Sequence, residues 1–472
     1  MRCIIVRVRP ARAGGTTDSR KVAMNIELTR PLFEWDALED SPTIRTLRGL
    51  LDSMPDSQLL GALRAHRGRG RGDYPIHVLW GTLLLKILLR HVHMVDCLSE
   101  LQRNGDLRGL IGIESEGQVP KKWNMTRFQR TLGEEPHRSL LRAMFDEIAR
   151  GLSEQVDDLG EQASGDATVL SAQAQGSQAS SPSNLAQPAG GKKEYTDDEG
   201  RVTKMIEWFG YTLHLLIDSR HEVALAWRVT SAQGDESEEV KALAEQAEGN
   251  LPAKRMKTLT YDRAADDGDV HAFLHKKSIR PVIQNRSMWT GETERMLPGH
   301  DGTSNIVYDE AGTVYCYDMV SNPPVRRRMA YIGYEKSRGT IKYRCPAKHG
   351  GFTCPSASRC NRGKKYGKTV RVKCEVDLRR FPPIPRATKT FERLYKTRTA
   401  SERVIGRLKL FWGADDGNTW GAERFHAQVG AILVAHMAFA RALAERAEGR
   451  GVLSKTRLGR VMSHRPPTKK RP

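Results

Sequence analysis

The sequence predicts an α/β fold: a mixed sheet with flanking helices, preceded by an all-helical region and interrupted by a β-rich insertion. Three observations carry this. Met205–Ile217 and Glu222–Thr230 are apolar runs of strand character joined by Asp218-Ser-Arg-His, which reads as a hairpin. Strand and helix patterns then alternate through Glu236–Glu248, Lys257–Tyr261, Val270–Lys277 and Arg280–Gln284. Helical period fills 41–65 and 74–149, and it returns from Phe391 to Phe411 and across Ala422–Arg446.

The 472 residues suffice for two or three domains, and 39% hydrophobic residues support a buried core. Lys+Arg outnumber Asp+Glu by 76 to 56, a net charge of +20. A field of that sign draws polyanions, so nucleic acid is the first partner to consider and an anionic membrane surface the second. No apolar run reaches the ~18–20 residues that span a bilayer; the longest candidate, Val78–Leu89, contains Lys86 and is too short. The arginine-rich N-terminus lacks the apolar stretch of a signal peptide. A cytoplasmic protein with reduced cysteines and no membrane association is expected.

The chain divides by composition. Residues 1–40 are irregular and rich in arginine, and 41–150 are helical with a basic glycine-rich loop at Arg64–Asp73. Residues 160–284 hold the first part of the sheet, beginning at the strand Asp166-Ala-Thr-Val-Leu; within it 171–200 reads as a flexible loop rich in Ser, Ala, Gln and Gly. Residues 285–388 form the β-rich insertion, 389–447 supply helices, and 448–472 are a basic tail suited to non-specific contact with nucleic acid.

The chemistry is clearest in Tyr395-Lys-Thr-Arg-Thr-Ala-Ser-Glu-Arg-Val-Ile-Gly-Arg-Leu-Lys409. At ~100° per residue, with Tyr395 at zero, Arg398 falls near about −60°, Glu402 about −20° and Lys409 about −40°. One acid thus stands between cations on a single face, with Val404, Leu408 and Phe411 behind it. Glu402 could hold a divalent ion while Arg398 and Lys409 grip phosphates. The alternative is a solvated face of ion pairs.

This Tyr-x2-Arg-x3-Glu-x6-Lys pattern resembles the signature of one branch of bacterial insertion-sequence transposases with an Asp-Asp-Glu triad. The resemblance covers about residues 40–445 and implies a ribonuclease-H-like catalytic domain. It places the first acid at Asp166, in Gly165-Asp166-Ala-Thr, and the second at Asp262, after Thr258-Leu-Thr-Tyr261. Arg263 follows as in the family, but Ala264-Ala265 replaces the usual Gly-Tyr, so Asp266 is the second choice, and Asp267 and Asp269 also compete. From the residues alone, Asp166 could be a turn residue and Asp262 a helix cap. The resemblance implies two Mg²⁺ (or Mn²⁺) ions on Asp166, Asp262 and Glu402, and DNA contacts from Tyr395, Arg398 and Lys409. It further implies that the helical domain binds terminal inverted repeats, with Arg127, Arg130, Arg67, Arg69 and Arg71 as candidate contacts. The match there rests on Tyr74-Pro-Ile-His…Leu83-Leu-Leu-Lys-Ile-Leu-Leu and Phe128-Gln-Arg-Thr-Leu132. The implied function is DNA cleavage and strand transfer on double-stranded DNA by a homodimer, in a bacterial cytoplasm at the nucleoid. The competing functions are a structure-specific nuclease on the same fold and a DNA-binding relic.

Cys345, Cys354 and Cys360, with Cys374 beyond, form the one cysteine cluster noticed. Their spacing lacks the C-x2-C pairs of a zinc ribbon. Related transposases show a similar Cys-Pro…Cys-Pro…Cys segment. A structural zinc on Cys345, Cys354, Cys360 and either Cys374 or His349 competes with reduced thiols packed in a small β domain. His214, within a strand, reads as structural.

Overall fold

A computed structural model of the chain describes residues 42–68, 74–173, 185–196, 201–231, 236–299, 305–416, 419–446 and 451–453. Its first part is helical: α1 (Pro42–Asp52), α2 (Ser57–Arg67), α3 (Ile76–Leu88), α4 (Met94–Arg103), α5 (Gly105–Leu110), α6 (Lys122–Gly133) and α7 (His137–Gln155). Helix α3 is apolar on nearly every side and is accordingly buried all round, as such a helix must be in water.

The main sheet follows. It contains β1 (Gln162–Ser171), β2 (Ala189–Thr196), β3 (Val202–Asp218), β4 (Ala224–Ser231), β5 (Thr258–Tyr261) and β6 (Arg280–Ile283), with α8 (Glu236–Asn250) and α9 (Gly268–Lys276) in the crossovers. The order is β2-β3-β1-β5-β6, with β4 on β3. Strands β1–β4 pair antiparallel, while β1, β5 and β6 run parallel. The fold is therefore a mixed α/β sheet with flanking helices, as expected.

One expectation is corrected here. The flexible loop read over 171–200 ends earlier, because 189–196 forms β2 along the first half of β3. Ala-Gly-Gly-Lys-Lys-Glu has no alternating apolar pattern to announce a strand. Its order comes from ladder hydrogen bonds offered by β3, which starts at Val202, earlier than its apolar run shows. Residues 174–184 lie outside the described set.

The insertion forms two small sheets around a core of its own. The first joins β7 (Glu294–Met296), β8 (Ile306–Asp309), β9 (Val314–Asp318) and β10 (Val325–Arg328); the second joins β11 (Ala330–Glu335), β12 (Thr340–Arg344) and β13 (Thr369–Lys373). Two short helices, α10 (Pro346–Gly350) and α11 (Ala357–Asn361), lie between β12 and β13.

The chain closes with α12 (Lys389–Tyr395), a 3-10 turn (Lys396–Arg398), α13 (Thr399–Phe411) and α14 (Ala422–Arg446). The continuous helix expected from Phe391 to Phe411 is thus broken before the glutamate. Helix α14 is long and apolar enough to cross a membrane, which corrects the expectation that no run reaches that length. Its surface is instead mostly buried in protein, against α3, α6, α7 and β4. One apolar core runs from Leu47 through the sheet to Leu453, so α14 knits the N-terminal helices to the sheet.

That junction is tight at Gly133. A Cβ there would lie 1.8 Å from the Glu423 backbone carbonyl oxygen at the start of α14, and backbone cannot yield as a side chain can. Gly133→Ala is expected to lower stability by about 1–3 kcal/mol or more. Gly61→Ala, in an open position on α2, should gain up to about 1 kcal/mol. Denaturant titration of both variants checks this.

Candidate active site

Parallel pairing sets the site. The register Gln162↔Thr258, Ala163↔Leu259, Ser164↔Thr260 carries Gly165 level with Tyr261 and Asp166 level with Asp262. Asp166, midway along β1, therefore stands beside Asp262, which directly follows the end of β5. Gly165 is required for this approach: a Cβ would lie 2.2 Å from the ring of buried Tyr261. Asp262 leaves β5 in extended backbone and accepts a hydrogen bond from the Ala264 N–H at 2.9 Å, so the cap role anticipated for it is also real.

Helix α13 packs across β1 and β3 and brings the third carboxylate. Arg398, at the turn before α13, lies 3.5 Å from Asp166 and donates to Glu402 Oε1 at 2.6 Å. Its guanidinium thus bridges two of the three acids. Burial raises the Asp166 pKa; Arg398 opposes the shift, while Asp262 and Glu402 push it further up. Tyr395 stacks on Phe391 at 5.7 Å, and burial raises its hydroxyl, with Arg398 opposing and Asp262 adding to the rise. Tyr395, Arg398, Asp166, Asp262 and Glu402 thus form one electrostatic neighbourhood.

Among the described residues, no group of three or more His, Cys, Asp or Glu side chains is arranged to hold a metal ion as it stands. The donor set at Asp166, Asp262 and Glu402 nonetheless fits hard divalent ions, which take oxygen ligands. Three neighbouring carboxylates repel unless a cation is shared, and Arg398 supplies part of that charge here.

Lys409 is committed differently from the phosphate grip expected of it. Its Nζ donates to the Val169 carbonyl at 2.6 Å and lies 3.6 Å from Asp415, which also accepts from the Ser171 N–H at 2.9 Å. It fastens α13 to the end of β1. On the far side of α13, Arg403 and Arg407 clamp Glu222 in the β3–β4 turn. His214 is buried on β3 and bonded to Thr230 at 2.9 Å.

Two of the three alternative second acids, Asp266 and Asp267, have other duties. Asp267 caps α9 through the Asp269 N–H at 2.8 Å. Asp266 is buried and fully engaged. It accepts from His271 at 3.0 Å, Arg386 at 2.7 Å, Arg379 at 2.9 Å and the Arg286 N–H at 2.8 Å. Burial alone would raise its pKa. The His271 bond, Arg386, the Arg286 N–H and Arg379 outweigh that and hold it down to about 2. With four donors on its two oxygens, Asp266 has no lone pair aimed at a ligand in the site. It locks the end of the insertion to the sheet, a function no spacing pattern in the sequence announces.

The N-terminal cations are scattered. Arg127 lies over exposed Trp123 at 5.2 Å, and Arg130 is an exposed neighbour of Glu134 at 3.3 Å, both on α6. Arg67 donates to the Tyr74 carbonyl at 2.5 Å, whereas Arg69 and Arg71 lie outside the described residues. In the insertion, Cys345, Cys354 and Cys360 come together, but Cys374 does not join them. It starts beyond β13 at the opposite end from Lys368, whose carbonyl pairs with the Cys345 N–H, roughly 16–20 Å along an extended chain. His349 is exposed on α10. The fourth cysteine at the group is Cys316 of β9, which the sequence reading passed over because it stands 29 residues upstream.

Comparison with family models finds a match to the family described as Transposase DDE domain over residues 165–438. The match spans more than half of the chain, and the chain belongs to that family of transposases. A comparison with curated proteins finds no match.

Asp266→Asn should cost about 3–5 kcal/mol, because it strands two buried guanidinium groups. The wild-type contribution of this carboxylate has a defined pH window. The folded pKa, about 2, lies below the ordinary 3.8, so the stabilisation is complete above pH 3.8 and fades as pH falls towards 2. Unfolding midpoints measured from pH 6 down to about 2 should show a steeper acid loss for wild type than for the variant.

Proposed function

We propose that Asp166, Asp262 and Glu402 are the catalytic carboxylates of a DNA transposase that cuts the ends of its own element and joins them to target DNA. The observation that carries this is their convergence: two aspartates side by side on neighbouring parallel strands, one midway along β1 and one just past β5, and a glutamate tied to the first through Arg398. Asp262 is preferred to Asp266 because the latter's oxygens are saturated by buried donors.

Divalent ions held by these carboxylates, two Mg²⁺ or Mn²⁺, would activate a water or a DNA 3′-hydroxyl and stabilise the departing oxygen. The chain's own residues do the positioning. Arg398 neutralises Asp166 and Glu402 when no ion does, and it is placed to take a phosphate oxygen once the carboxylates have another cation. Tyr395 borders the same space beside Asp262. Lys409 and the Glu222 clamp hold α13 in register with β1. In hydrolysis, water displaces a 3′ oxygen from phosphorus. In joining, the freed 3′-hydroxyl displaces a target oxygen, and the number of phosphodiester bonds is unchanged, so no nucleotide cofactor is needed. The exposed pair Trp123–Arg127 and Arg130 on α6 supports DNA contact by the helical region. Binding of terminal inverted repeats there, and a homodimer that brings two sites to two ends, complete the reading.

The test is incubation of the protein with supercoiled plasmid carrying the DNA that flanks its gene, with Mg²⁺ or Mn²⁺, beside Glu402→Gln. Wild type should nick and join in a metal-dependent way. The variant should bind DNA equally and lose activity by on the order of 10³-fold, since a metal ligand supports several kcal/mol of transition-state stabilisation. Cutting without joining would instead identify a nuclease. Equal binding with no cutting by either protein would identify a DNA-binding relic.

A further inference from the structure

The insertion holds a group of side chains that the transposition chemistry does not use. Four thiols border one small cavity of about 30 Å³: Cys316, Cys345, Cys354 and Cys360. They come from separate places. Cys316 lies on β9 of the first small sheet, opposite Ile306 of β8 and Arg327 of β10. Cys345 starts α10 as the chain leaves β12, Cys354 sits in the following loop, and Cys360 lies on α11. The cavity thus lies where the two sheets of the insertion meet.

The cavity can hold one sphere of about the size of a water molecule, since roughly 10–15 Å³ suffices for that. A cluster of several metal and sulfide ions would not fit. None of the four cysteines is in a disulfide.

The surroundings are those of ligating thiolates. The Asn361 side-chain amide donates to Cys345 Sγ at 3.9 Å, and that of Asn305 to Cys360 Sγ at 3.8 Å. Amide donors to sulfur are the outer partners that orient and stabilise thiolate ligands. Arg327 also lines the cavity, and its guanidinium favours negative charge at sulfur. Ser356, between Cys354 and Cys360, donates to buried Asp318 at 2.6 Å, which fixes this loop to the end of β9.

We infer that Cys316, Cys345, Cys354 and Cys360 form a structural site for one thiophilic divalent ion, of which zinc is the fit by ligand set and size. The group as it stands is not a closed metal cage among the described residues, and zinc holds thiolates at about 2.3 Å, so binding would draw the four thiols together and release protons. A closed four-thiolate site has no open position for catalysis, so the ion would staple the two small sheets together. The small apolar core of the insertion would make that staple matter, as it does in other small domains.

The test is metal analysis of the full chain purified without chelator, followed by Co²⁺ exchange. Wild type should carry about one zinc per chain, and its cobalt form should show the thiolate charge-transfer and intense visible bands of tetrahedral four-sulfur coordination. Cys316→Ser should lose the metal or weaken it at least tenfold, while Cys374→Ser, in the core of the insertion, should keep it. Should Cys316→Ser fail to fold, thiol titration of wild type replaces it: four thiols should become reactive on chelation and protected on zinc return. A wild type with no stoichiometric metal and no cobalt spectrum would overturn the proposal. So would metal loss in Cys374→Ser with retention in Cys316→Ser. Neither result bears on Asp166, Asp262 or Glu402, which bind through oxygen.

Discussion

The parallel contact between β1 and β5 is what the rest of the site depends on. It lets Gly165 pass under the Tyr261 ring and sets Asp166 beside Asp262. Burial first, and then the charges of Asp262 and Glu402, make Asp166 harder to ionise than a free aspartate, with Arg398 opposing. Asp166 is therefore placed at a cost in folding free energy. The surrounding fold, with its continuous core and long central strands, bears the cost, as functional sites commonly require.

Several interactions converge on holding that arrangement. Arg398 spans Asp166 and Glu402, Lys409 grips the end of β1, and Glu222 receives two arginines from the back of α13. Arg90 reaches from beyond α3 to pair with Asp416 at 2.5 and 2.7 Å, so the N-terminal helices are tied to the loop that follows α13. On the other side of the sheet's end, Asp266 with Arg379 and Arg386 fixes the insertion where it returns to the chain. Removing one partner of such a buried ion cluster leaves the others uncompensated, which fixes the placement of the insertion.

Much of the fold was legible in the sequence because its signals were local. Ala422–Arg446 has an apolar pattern that ends where the helix ends, and the β3–β4 hairpin has apolar runs on both sides of its turn. The candidate site was legible through a resemblance, since Asp166, Asp262 and Glu402 are separated by 96 and 140 residues and no periodicity links them. What stayed hidden depends on partners far along the chain. Strand β2 exists only because β3 offers it an edge. Asp266 competed with Asp262 as a candidate until its distant arginines were in view. Cys316 was missed for the same reason: one cysteine between two tyrosines says nothing until the hairpin folds beside α10 and α11. The break at 396–398 escaped because helical period barely distinguishes a 3-10 turn from an α-turn over three residues.

The central claim, that Asp166 and Asp262 share a cation site while the aspartates after Asp262 do not, is tested most directly by Mn²⁺ binding followed by electron paramagnetic resonance. Asp166→Asn and Asp262→Asn should each weaken Mn²⁺ at least about tenfold against wild type, and Asp269→Asn, on the exposed first turn of α9, should not. Wild-type affinity in Asp262→Asn, with thermal stability unchanged, would contradict the account.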